Sequence, residues 1–452
     1  MAEQSLLQAT TPSPVIEPRT LSMLSNSLTL IAGKLATMGL GFIAWVVAAR
    51  VFEQSVVGIG SADVSAMMLC VQLALVGTGA AVITMYSHVR ANPSRLLSSS
   101  FLLVTVTSCL AALGFLAIAW LFLDNLRGVA TNPINAIALI IMTVAGTQGV
   151  LLDQLSTALR RGDQVLVRGI SSGLATVALV LLLSVGMERN VQTLLLAWAG
   201  GNAVPVVIGW WQIHRAIPDL EIRPTFDRTI FRQINRVGIP NWVLTLTERI
   251  PGAVLPIVVA EILTPQANAA WYAAWMMAWV VYIVPIQVGL NLFAESSHRP
   301  GEAHHALRQG VVSSLAIGLV AALGVAIVGP YLLDFLGSGY GRQGAHPLQL
   351  LVIGVIPITF IQAYFAICRT TFRMREAIVT GAIAAASGVG SAAIVAPHYG
   401  LSGMAIAWLI SQSLIAFWSI SRLLAFGHTF RSGTDEGRPS EHFGTEVTAN
   451  QG

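Results

Sequence analysis

Runs of about 20 predominantly apolar residues recur from one end of this chain to the other, and that recurrence limits its fold more than any other feature. They fall at 24–49, 57–83, 100–123, 135–158, 169–187, 191–213, 238–263, 268–293, 307–335, 347–367, 377–396 and 400–423. In hydrocarbon a segment of this length must satisfy its own backbone hydrogen bonds, which a helix does. Only 10% of the 452 residues are charged and 55% are hydrophobic, with a mean hydropathy of +0.72. A soluble domain carries about 25% charged residues. The expected fold is therefore an all-α polytopic membrane protein with about 12 transmembrane helices.

The arginines fall mostly into alternate loops and the two ends, as with Arg90, Arg95, Arg160, Arg161, Arg215, Arg228, Arg232, Arg236, Arg299, Arg373 and Arg375. The opposite loops hold Arg50, Arg127, Arg189 and Arg342. Cations favour the cytoplasmic side, so both termini are expected in the cytoplasm of a multi-pass protein of the inner (cytoplasmic) membrane. The net charge of +4 and pI near 9.2 fit basic loops facing anionic lipid head groups, not a nucleic-acid partner. The polar first 20 residues have neither the basic start nor the apolar core of a signal peptide.

Six spans precede the stretch 214–237 and six follow it, which predicts two six-helix lobes in parallel orientation. The expected organisation is an N-terminal arm (1–20), an N-lobe (21–213), a linker (214–237), a C-lobe (238–423) and a disordered tail (424–452). Phe226, Ile230, Phe231, Ile234 and Val237 recur at helical spacing between arginines, so the linker reads as an amphipathic helix on the cytoplasmic leaflet. The two lobes echo each other. Asn26 precedes Lys34 by the same eight residues that separate Asn241 from Arg249.

Lys34 and Arg249 sit inside predicted spans, near the midplane at about 1.5 Å of rise per residue. A central Lys or Arg costs roughly 2.5 to 3.5 kcal/mol on insertion scales, so each is expected to face an internal cavity or a partner. Lys34 is also the only lysine in the chain. Two cations at matching positions of two lobes suit an anionic substrate such as a phosphate or diphosphate. The alternative is that Arg249 is merely paired with an acid such as Glu248. Adjacent helical residues point about 100° apart, however, so the two do not naturally face each other. Glu248 and Asp63 are the candidates for ion coupling. Pro251, Gly252 and Pro256 follow Arg249 and make that helix a candidate hinge.

Cys70, Cys109 and Cys368 are far apart, and the histidines lie in loops, tails or span edges, so no metal site is expected. No phosphate-binding glycine loop follows a strand, and the outward loops, the longest about 336–346, leave no room for a catalytic domain. The chain reads as a transporter, not an enzyme, and no cofactor is expected.

Three stretches resemble the polysaccharide-transport, O-antigen flippase-like branch of the multidrug/oligosaccharidyl-lipid/polysaccharide (MOP) exporter superfamily. They are SNSLTLIAGKLATMGLGFIAWVVAARVFEQSVVGIGSA from Ser25, LLDFLGSGYGRQG from Leu332, and APHYGLSGMAIAWLISQSLIAF from Ala396. The resemblance implies two lobes around a cavity that opens to alternate faces, moving a polyprenyl-diphosphate-linked saccharide outward. It implies membrane lipids and a lipid-linked oligosaccharide as partners, with glycosyltransferases or a polymerase of the same assembly system nearby. Two other readings stand beside it: a cation-coupled exporter of drugs or metabolites, and a non-transporting scaffold for glycan assembly.

Overall fold

The computed structural model describes residues 18–86, 93–217, 220–221, 228–298 and 303–432. Among these there is no strand. The first half comprises α1 (Pro18–Val51), α2 (Gln54–Ala74), α3 (Thr78–Tyr86), α4 (Ser94–Phe122), α5 (Arg127–Thr131), α6 (Pro133–Ala158), α7 (Gly162–Gly186) and α8 (Val191–Ala216). The second comprises α9 (Arg228–Ile262), α10 (Pro265–His298), α11 (Ala303–Leu336), α12 (Ser338–Ile353), α13 (Val355–Thr370) and α14 (Met374–Ser432). Among the described residues, nine helices are long and apolar enough to cross a membrane, or ten if the bent pair α12–α13 is one span.

Each half is a bundle. In the first, α1 packs on α7, α7 on α8, and α6 on both α8 and α4. In the second, α9 packs on α14, and α10 packs on α11, α12 and α13. Between them α2 lies against α9 and α10. One apolar core runs through this junction and includes Trp45, Val57, Leu255, Trp271 and Tyr272. The outward faces carry exposed large apolar side chains, such as Leu110 and Leu121 on α4, Val320 and Leu323 on α11, and Ile394 and Phe417 on α14. Such a surface suits lipid, not water.

Several expected boundaries move, each for a local reason. The span expected at 57–83 is broken between α2 and α3. Gly77 takes a left-handed φ of 77° that glycine tolerates, and Val76 is held at φ 41°, an unusual state for a β-branched residue. The carbonyls freed there are recovered by neighbours: Thr107 Oγ1 donates to Ala74 O (2.6 Å) and Trp242 Nε1 donates to Gln72 O (2.6 Å). The stretch 336–346, expected as a loop, belongs mostly to α12, which bends by 40° into α13 at Gly354. The hairpin expected at APHYG is a break inside α14 at Gly400, with φ 61° and ψ −156°. That helix continues to Ser432, past the boundary expected at 423. The linker residues from Arg228 onward join α9 directly, and Phe226 lies outside the described residues.

The bundles meet along a seam at the end of the molecule that the arginine distribution assigns to the outside. Gly58 of α2 lies so close to α10 that a β-carbon there would stand 1.7 Å from the Pro265 carbonyl oxygen. Asn268 Nδ2 donates to Gly58 O (2.7 Å) and Ser61 Oγ (3.1 Å), and Gln54 Nε2 donates to Gln266 O (2.9 Å). Glu261, in the last turn of α9, accepts from the backbone N–H groups of Asp124, Asn125 and Leu126 at 3.0, 3.1 and 2.8 Å. Asn125 Nδ2 returns a bond to Ala260 O (2.9 Å). The Arg50 guanidinium sits 4.3 Å from the centre of the Phe335 ring, and the Trp45 and Tyr272 rings are 5.0 Å apart.

Candidate functional site

The middle of α9 places two opposite charges on diverging faces. Glu248 turns into the second bundle. Its Oε1 accepts from Gln362 Nε2 at 3.2 Å and lies 3.6 Å from Arg369 Nη2, with both ionic side chains largely buried. Glu248 and Gln362 border a cavity of about 70 Å³, lined also by Trp275, Trp279 and Tyr282 of α10 and Trp408 of α14. The rings brace one another: Trp275 and Tyr282 lie 5.4 and 5.7 Å from Trp408. Arg249 turns away from this pocket. Its guanidinium lies 5.2 Å from the centre of the Trp279 ring, a cation–π contact. Arg249 is exposed, and among the described residues it makes no ion pair.

The α9 backbone runs as one helix through Pro240, Pro251 and Pro256. Pro251 borders the cavity. Gly252 makes room for α10, since a β-carbon there would stand 2.9 Å from Trp275 Nε1. Asn241 is exposed two turns before Arg249 on the same helix. The side chains of Asn26 and Lys34 lie outside the described residues. The backbone beside them is helical, and Gly33 approaches α7, 3.0 Å from a β-carbon position to the Leu166 backbone.

Asp63 belongs to a different place. It is fully buried nine residues into α2. Glu261 stands 13 residues beyond Glu248 on α9, about 20 Å along the axis. Arg369 and Gln362 were not singled out from the sequence. Arg369 ends an apolar run, where a cation that faces water and one that turns inward look alike. Asp153 meets a cation at the far end of the first bundle: Arg168 Nη2 lies 2.7 Å from its Oδ1. No group of three or more His, Cys, Asp or Glu is placed to hold a metal among the described residues.

Residues 23–296, more than half of the chain, match the family model described as polysaccharide biosynthesis protein. The chain belongs to that family. Its fold is shared with solved structures of the MOP superfamily. An inward-facing multidrug resistance MATE family transporter aligns over 90% of this chain and 99% of its own, with a TM-score of 0.63 and 15% identity. The lipid II flippase MurJ, in an inward closed conformation, aligns over 88% and 87%, with a TM-score of 0.64 and 14% identity. A MOP transporter from Pyrococcus furiosus, described as having a binding pocket of reverse polarity, aligns over 92% and 96% at a TM-score of 0.54 and 13% identity. No curated protein matches the sequence. The family member described here is thus a multi-pass membrane protein with the transporter fold of that superfamily.

Proposed function

We propose that the chain is a flippase that carries a polyprenyl-(di)phosphate-linked saccharide from the cytoplasmic to the outer leaflet by alternating access. Its place is the inner membrane, and its role is cell-surface polysaccharide biosynthesis. In this reading α14 crosses the bilayer twice around Gly400, α12–α13 cross it once, and α1 completes a set of twelve spans in two lobes. Both termini are cytoplasmic. The observation that carries the reading is Arg249: a mid-span arginine set against Trp279 that makes no ion pair among the described residues, next to a glutamate engaged by Gln362 and Arg369. A mid-membrane cation suits a phosphate. Lys34 is its counterpart from the first lobe, and Asn26 and Asn241 stand two turns before each cation to meet the saccharide. Pro251, Gly252 and Pro256 give α9 its freedom to bend, and Glu248 is placed to exchange an ion through the pocket it borders. Glycosyltransferases or a polymerase of the same assembly system would supply or consume the cargo.

The test is flipping of a fluorescent polyprenyl-diphosphate sugar in proteoliposomes. A charge-assisted hydrogen bond contributes about 1.5 to 3 kcal/mol, so Arg249→Ala is expected to slow flipping by roughly tenfold to a hundredfold. Arg249→Lys keeps the charge without the fork and should fall between. Unchanged flipping in both Arg249→Ala and Lys34→Ala would sink the site. Loss only in Glu248→Gln, with efflux of organic cations following an ion gradient, would favour the exporter reading. The aromatic walls around Glu248 are the feature that keeps that reading in view.

A further inference from the structure

The cavity beside Glu248 is short of hydrogen-bond donors. Two of the groups that line it, Thr247 and Tyr282, give their hydroxyl protons to the carbonyls of Leu244 and Leu351. Gln362 Nε2 donates to Glu248 Oε1 (3.2 Å), and Gln412 Nε2 donates to Ala384 O (3.1 Å). Among the described residues this leaves Glu248 Oε2, Gln362 Oε1 and Gln412 Oε1 without a partner. All three are acceptors. One donor also stands unpaired: Trp408 is a wall of the same cavity, and its indole N–H is buried with no hydrogen-bond partner.

The remaining walls are apolar, with Trp275, Trp279, Tyr282 and Trp408 supplying ring surface. Such rings suit either a cation or an apolar group. Charge separates the two. In the state seen here Arg369 lies 3.6 Å from Glu248 Oε1 and balances it, so a cation would meet an already neutral pair. A neutral group that donates a hydrogen bond would meet free acceptors instead. Size narrows the choice further. A volume of about 70 Å³ is the share of roughly two water molecules, too little for a whole pyranose ring and enough for a substituent of a few heavy atoms. An acetamido group has that size, and it carries one N–H, one C=O and one methyl.

We propose that this cavity receives the acetamido group of an N-acetylated sugar. The N–H meets the free acceptors of Glu248, Gln362 and Gln412, the carbonyl takes the Trp408 N–H, and the methyl lies against the rings. The inference deepens the proposed function and rests on it for the phosphate at Arg249. Trp279 links the two places, because its ring lines the cavity and also carries the Arg249 guanidinium at 5.2 Å. In a sugar phosphate joined through the anomeric carbon, a substituent on the adjacent ring carbon is the phosphate's immediate neighbour. The sugar read in this way is therefore the first of the cargo, the one bonded to phosphate. Arg249 serves any sugar phosphate, and the cavity selects those with the acetamido group.

The experiment uses the full chain in lipid nanodiscs with soluble probes: N-acetylglucosamine and glucose, each as the free sugar and as the 1-phosphate. Saturation-transfer NMR is expected to show the acetyl methyl as the most strongly saturated group. Titration should give a preference of about tenfold or more for the N-acetylated member of each pair, because a site with unpaired polar groups rejects the analogue that lacks their partner. Ala385→Leu fills the cavity from α14 without removing a polar group and should abolish the preference. Trp408→Phe keeps a ring and loses the N–H, so it should reduce the preference in part, and it carries the test if Ala385→Leu does not fold. Equal affinity within each pair overturns the proposal, as does failure of every probe to bind, or a preference that survives these substitutions. Tighter binding of glucosamine 1-phosphate than of its N-acetylated form also overturns it, since the cavity would then be a cation site. The phosphate assignment is judged separately: the 1-phosphates should bind more tightly than the free sugars, and Arg249→Ala should remove that difference while leaving the preference for the acetyl group.

Discussion

Gly58→Ala is expected to hold the two bundles apart at the seam while leaving each of them folded. Gly58 lies inside α2 with ordinary helical geometry, where alanine is preferred to glycine by about 1 kcal/mol. The helix itself therefore gains. The obstacle lies across the seam, where the new β-carbon would stand 1.7 Å from the Pro265 carbonyl oxygen and 2.4 Å from its carbon. Both are backbone atoms, so no side-chain rotation relieves the overlap. A retreat of α10 breaks the bonds of Asn268 to Gly58 and Ser61 and strains that of Gln54 to Gln266. Each net hydrogen bond contributes about 1 kcal/mol, and leaving the fully buried Asn268 amide unpaired costs about 1 to 3 kcal/mol more. The shut state should lose roughly 2 to 4 kcal/mol relative to the open one, a population shift of about thirtyfold to a thousandfold. Spin-label distances across the seam should lengthen, and flipping should fall because the cycle lacks its closed step. Gly114→Ala on α4, where a β-carbon meets nothing within 4 Å, is the matching control and should leave both readouts alone. Unlengthened distances in Gly58→Ala would mean that the seam is not the closing contact.

The sequence carries the all-helical membrane fold clearly because hydrocarbon imposes one rule on every residue of a span. Its finer points depend on contacts between distant segments, and there the signal fades. Val76 reads as one more apolar residue in a span, yet the chain breaks there because Trp242, more than 150 residues later, bonds the carbonyl of Gln72. Glycine appears in LVGTGA as it appears in many membrane helices, and nothing local says that Gly77 faces the Gly238 backbone. For Glu248 and Arg249, helical geometry gives the divergence of the two side chains but not their destinations. Gln362 is 114 residues from Glu248. The seam is the least legible part. Glu261 reads as an acid near a boundary, and its role as an acceptor for three backbone N–H groups is invisible until the loop at 124–126 is in place.

Arg168 shows the same limit and leads to the second large effect. By position it is one of many arginines beside a predicted span, but its side chain is 3% exposed and joins three helices of the first bundle. Its Nε and Nη2 donate to Asp153 Oδ1 of α6 at 3.0 and 2.7 Å, Nη1 donates to Gln212 Oε1 of α8 at 2.6 Å, and Nη2 also reaches Ser156 Oγ at 2.9 Å. Ser156 in turn donates to Gln164 Oε1 on α7 (2.9 Å). Arg168→Ala removes the hub and leaves the buried Gln212 and Ser156 with lost partners, each costing about 1 to 3 kcal/mol. Asp153 contributes less than a buried partner would, because its side chain is 47% exposed and water can replace the guanidinium. The net loss should be roughly 2 to 4 kcal/mol, confined to the first bundle. Lysine restores the charge but not the planar fork, so Arg168→Lys should recover less than half of the loss. Unfolding in lipid or mild detergent checks this, with local hydrogen exchange in α6–α8 as the second readout. If Arg168→Ala unfolds like the wild type, these buried bonds contribute nothing net and the bundle is held by its apolar core alone.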